Sequence, residues 1–76
     1  MNHSDRFINY QIRIEGFVRP ARFDGFTVTN LPEGETLIRG IMDQSALHGV
    51  LNRIRDLGLV LLSVQSLPNE KGNSHE

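Results

Sequence analysis

The sequence contains no cysteine and no tryptophan. Without thiols there is no disulfide framework, no thiolate metal site and no cysteine nucleophile. Long hydrophobic runs are missing as well. The longest uninterrupted apolar stretch is Leu59–Leu62, against the ~20 residues needed to span a bilayer. Nor does either sign of charge prevail: 8 Lys and Arg against 9 Asp and Glu leave a net charge of −1. That balance gives no general attraction to nucleic acid or to an anionic membrane. The opening residues MNHSDRF do not show the basic and apolar regions of a signal peptide. With no thiols and no export signal, a bacterial cytoplasm is the expected setting.

Seventy-six residues make one small domain. A chain of this length buries a limited fraction of its surface, and small domains commonly gain stability from disulfides, metals or oligomerisation. Disulfides are excluded here, and no metal or cofactor motif is present, so none is expected. A homodimer is what remains. Gly16, Gly25, Gly34, Gly40, Gly49 and Gly58 stand singly, which leaves no glycine-rich phosphate loop. Ser63 and Ser66 have no histidine placed to activate them, so no catalytic residue is expected.

Periodicity divides the chain. Residues 1–9 are polar and aperiodic and are expected to be flexible, although Phe7 and Ile8 could extend the first strand. Residues 10–67 form the domain, and residues 68–76 read as a disordered tail. Tyr10, Ile12 and Ile14 alternate with Gln11, Arg13 and Glu15, the period of a half-buried strand. The segment RPARFDG, Arg19–Gly25, interrupts the pattern with Pro20 and an Asp24-Gly25 turn signal. FTVTN, Phe26–Asn30, is a second strand with Phe26 and Val28 on one face. Leu31-Pro32-Glu33-Gly34 suits a type I turn closed by a left-handed residue. Glu35–Met42 returns as a third strand whose facing is ambiguous, because Leu37 and Ile41 alternate with Ile38 and Met42.

Asp43 is a suitable N-cap. At 100° per residue Leu47, Val50, Leu51, Ile54 and Leu57 fall on one stripe, with Ala46 at its edge. Gly58 stands where a left-handed C-cap belongs. LVLLSVQSL, Leu59–Leu67, is the fourth strand. Strict alternation puts Val60, Leu62 and Val64 on one face, and Leu59 and Leu61 on the other. One helix covers one face of a sheet, so the second face calls for a partner. The predicted class is α+β, a two-layer β-β-β-α-β domain: a four-stranded mixed sheet with one helix on one face. The first three strands are expected to form an antiparallel meander, and the strands on either side of the helix to be parallel.

Asp43–Val64, DQSALHGVLNRIRDLGLVLLSV, resembles a pattern in a family of short uncharacterised bacterial proteins. The segments YQIRIEG and FDGFTV are similar to the same family. Those relatives often carry Trp in the loop before the Phe-x-Gly segment, where this chain has RPARFDG. The resemblance implies one compact domain and no assigned activity.

The side chains with chemistry to offer are few. His48 lies on the flank of the apolar stripe and could line a pocket or hold a subunit contact. A metal site built from His3, His48 and His75 would need both chain ends ordered and is not expected. Between Tyr10 and Leu67 every basic residue is Arg, and Arg pairs bidentately with carboxylate or phosphate. Acidic residues match these arginines in number, so mutual surface pairing is the plain explanation. A small-ligand or anion site would use His48, Arg55, Arg19, Arg22 and the rest of the Arg19–Asp24 loop. Nucleic-acid binding, with Phe17 and Phe23 stacking on bases, ranks third. The leading expectation is a small non-catalytic protein-interaction module that self-associates through Leu59, Leu61 and Gly49. Gly49 enters because a mid-helix glycine costs roughly 1 kcal/mol relative to Ala and so asks for a reason.

Overall fold

The alternation at Tyr10–Glu15 becomes strand β1, Ile8–Glu15, with Ile12 and Ile14 fully buried and Arg13 and Glu15 exposed. The computed structural model describes residues 6–68. Most of the expected flexible N-terminus and nearly all of the expected disordered tail, with His3 and His75, lie outside the described residues. Strands β2, Thr27–Asn30, and β3, Glu35–Met42, helix α1, Gln44–Asp56, and strand β4, Val60–Ser66, complete the domain. The class is α+β, with four strands and one helix.

The sheet order is β2-β3-β1-β4. Every neighbouring pair is antiparallel, which corrects the mixed sheet expected above. β3 and β4 do run in the same direction, as strands flanking a helical crossover should. β1 lies between them, however, and pairs antiparallel to both. The meander is corrected for the same reason: β2 forms a hairpin with β3, and β3 then returns to β1. The hairpin turn is the one the residues dictate. Gly34 N–H donates to Leu31 O at 3.1 Å, and Gly34 has φ +93°, where a side chain would be strained.

Register settles the ambiguous facing of β3. Thr36, Ile38 and Met42 are buried, opposite or beside Ile14, Ile12 and Ile8 of β1. Ile41 points outward and is exposed. Thr36 is the one buried polar residue among those described. Its hydroxyl lies 2.6 Å from Gly16 O and 2.7 Å from Asn30 Oδ1. With a single proton it donates to one of these oxygens at a time, and it ties the end of β1 to the end of β2 through β3.

Helix α1 lays Leu47, Val50 and Ile54 on Ile12, Ile14, Ile38 and Met42, with Leu51 and Leu57 half-buried beside them. Its ends are fixed locally. Asp43 Oδ1 accepts from Ala46 N–H at 2.8 Å. At the other end Leu59 N–H donates to Ile54 O and Gly58 N–H to Arg55 O, both at 3.0 Å, with Gly58 at φ +74°. This is the Schellman arrangement, which satisfies carbonyls the helix itself cannot.

Candidate functional site

Two surfaces stand out, one on each side of the helix. The first is a groove of about 260 Å³ on the β2 side. The sequence builds its loop wall from a 3-10 turn, Pro20–Phe23, with Pro at its first position, followed at once by a second turn. Phe26 N–H donates to Phe23 O at 3.1 Å, while Asp24 has φ −59° and ψ 136° and Gly25 has φ +93°. That is a type II turn, which requires glycine at its third position. It sets Phe23 and Phe26 on either side of Asp24. The helix wall is Ala46, Gly49, Val50 and Arg53. These residues are three and four apart and so share one helical face.

Gly49 leaves this part of the wall without a side chain. A Cβ placed on it would meet no atom within 4 Å, so the glycine is not there for close packing. Arg53 is held across the groove mouth, with Nη1 donating to Arg22 O at 2.8 Å. Among the described residues the one ion pair is Arg13–Glu35, at 3.3 Å on the outer face of the sheet. Neither Asp24 nor Arg53 is paired in that way.

The second surface is the β4 edge. Among the described residues β4 pairs with β1 alone, on one side. No charged residue occurs between Leu57 and Leu67. Val60, Leu61, Leu62 and Val64 are 53%, 45%, 43% and 37% exposed. The register shifts between Arg13 and Ile14, so that Arg13 faces Ser63 while Ile14 faces Leu61. Leu62 is the extra residue of a β-bulge. This corrects the alternation read from LVLLSV, because Leu61 and Val64 stand opposite Ile14 and Ile12, on the helix-bearing face. Leu59 precedes the strand and is half-buried against the core. Leu67 N–H donates to Asn9 O at 2.7 Å. Counting back along an antiparallel ladder, Ser66 and Val64 turn their N–H and C=O groups away from β1.

The structure separates the residues singled out from sequence. Gly49 lies on the β2-side flank of the helix, and Leu61 lies at the opposite edge of the sheet. His48 is exposed, and Gln44 Nε2 lies 3.2 Å from its Nε2. The amide can only donate, so that ring nitrogen accepts. Neither His48 nor Arg55 lines the groove; both fall on the other flank by helical spacing. Arg19 and Arg22 are exposed, and Arg22 contributes only its carbonyl, which anchors Arg53. Phe23 is 2% exposed and cannot stack on a base, whereas Phe17 is 61% exposed. The groove residues missed from sequence are Phe26, Ala46, Val50 and Arg53. The helical period places Ala46, Val50 and Arg53 beside Gly49, which the sequence had marked for self-association instead.

Among the described residues no His, Asp and Glu are grouped to hold a metal ion, and no helix is long and apolar enough to cross a membrane. The fold and its two surfaces define a small two-layer α+β domain with a single helix. The chain belongs to the family described as Domain of unknown function (DUF8691), whose model matches residues 9–65. No curated protein and no solved structure matches it.

Proposed function

We propose that this protein is a small non-catalytic interaction module of the bacterial cytoplasm that forms a homodimer by pairing the β4 edges of two copies. The observation that carries this is a seven-residue edge strand without a charge, with four apolar side chains each more than a third exposed. Proteins that stay monomeric blunt such edges with charge, proline or cover, because free N–H and C=O groups beside apolar side chains recruit another strand. The bulge disturbs only the start of β4. From Ser63 to Ser66 the pairing with β1 is regular, and Val64 and Ser66 present free backbone groups outward. A two-fold axis at Val64 pairs it with its own copy and sets Ser66 of each chain against Leu62 of the other. Leu51, half-buried on the flank of α1 turned away from the groove, then borders the seam.

Sedimentation velocity tests this directly, with a dimer expected at micromolar concentration. Val64→Pro removes an outward N–H and leaves the β1–β4 bonds intact, so it should give a folded monomer by circular dichroism. A wild-type monomer, or a Val64→Pro variant that stays dimeric, rejects the edge-to-edge module.

A further inference from the structure

The groove beside Gly49 is independent of the β4 edge, and its composition is selective. Phe23, Phe26 and Val50 supply apolar lining, and the charged residues among those that line it are one of each sign, Asp24 and Arg53. We infer that this groove binds a free apolar α-amino acid as its zwitterion. About 260 Å³ is below the ~300–1,000 Å³ of drug-sized pockets, so the ligand is a small metabolite.

The charges decide its class. A neutral apolar molecule leaves both charged groups unused. A plain carboxylate meets Asp24, and a plain amine meets Arg53. A zwitterion satisfies both: its ammonium pairs with Asp24, its carboxylate takes the free N–H donors of Arg53, and its side chain lies on the apolar lining beside the half-buried Phe26. The Arg53 guanidinium makes five N–H bonds available, and the Arg22 carbonyl holds Nη1 at 2.8 Å. The fork is thereby positioned before a ligand arrives, which lowers the ordering cost of binding. Gly49 completes the site. It sits mid-helix at a cost of roughly 1 kcal/mol, packs against nothing within 4 Å of a Cβ, and keeps the space over Val50 open.

The test is a titration of the full chain followed by amide nitrogen–proton NMR, with L-phenylalanine and L-leucine as probes. Saturable shifts at Gly25, Phe26, Gly49 and Val50 are expected. 3-Phenylpropionate and phenethylamine, each lacking one charge, should bind about tenfold or more weakly, and glycine, lacking the apolar body, should not bind. Gly49→Leu fills the groove with a good helix former and should abolish the shifts while leaving the remainder of the spectrum folded. Arg53→Gln and Asp24→Asn should each weaken binding. The inference fails if neither amino acid shifts these amides at millimolar concentration, if the singly charged analogues bind equally well, or if Gly49→Leu binds unchanged.

Discussion

Gly40 and Gly49 are the same residue type in regular elements, yet the structure asks opposite things of them. At Gly40 a Cβ would come 2.5 Å from Cδ1 of Phe26, so the ring occupies the space that a side chain on β3 would need. Gly40→Ala must push Phe26 aside and is expected to cost about 1–3 kcal/mol, as overpacking of a filled core does. Urea denaturation measures that loss, and shifted Phe26 ring resonances should accompany it. At Gly49 a Cβ would meet open space. Gly49→Ala is therefore expected to raise stability by up to about 1 kcal/mol, through helix propensity and a less flexible unfolded chain. The same denaturation experiment reads it. The sequence singles out only Gly49, although Gly40 too stands inside a regular element. Only the placement of Phe26 separates them, and that ring approaches β3 through a turn whose geometry no local pattern specifies.

At the scale of elements, what is encoded by neighbours in the chain was legible, and what depends on a partner strand was not. Asp43 and Gly58 mark the two ends of α1 because capping is a contact between residues a few positions apart. The stripe Leu47, Val50 and Ile54 follows from the helical period alone. The Leu31–Gly34 turn is equally local. By contrast, β1 holds two neighbours, and nothing in YQIRIEG states whether β2 or β3 lies beside it. The bulge at Leu62 was hidden for a sharper reason. LVLLSV is apolar at both parities, so an inserted residue changes no visible alternation; Leu61 in fact lies opposite Ile14 on the helix-bearing face, and Leu59 precedes the strand. The groove was not legible: Gly49 drew notice but was assigned to self-association, and the opposite wall comes from the Pro20–Phe26 segment, distant in sequence.

For the whole molecule, the expectation that the second face of the sheet must be covered gives way to a different balance. That face carries Gln11, Arg13, Arg39 and Gln65 in neighbouring register, with the Arg13–Glu35 pair across it, and exposed Ile41 and Val60 stand at its borders. A run of exposed apolar side chains sits at the β4 edge. The proposed edge pairing of two copies would make one eight-stranded sheet with both helices on the same side. Leu61, opposite buried Ile14 yet nearly half exposed, borders that junction. Leu61→Asp places a carboxylate among the apolar side chains that flank the seam, where it would lose its hydration, and is expected to dissociate the proposed dimer into folded monomers, read by light scattering. A Leu61→Asp dimer that remains folded would place the contact elsewhere.

The position of β1 between β3 and β4 also bears on the order in which the protein folds. Its first strand closes against its last, so the contacts that bury Ile12 and Ile14 span nearly the whole domain. The β2–β3 hairpin and α1 can form from neighbouring residues. β1 must wait in solution, one flank open, until residues as far as Ser66 have been synthesised and folded back. Non-local closure of this kind slows folding relative to helical domains of equal size. It also exposes the waiting strand during synthesis to the same kind of pairing that β4 offers in the finished molecule.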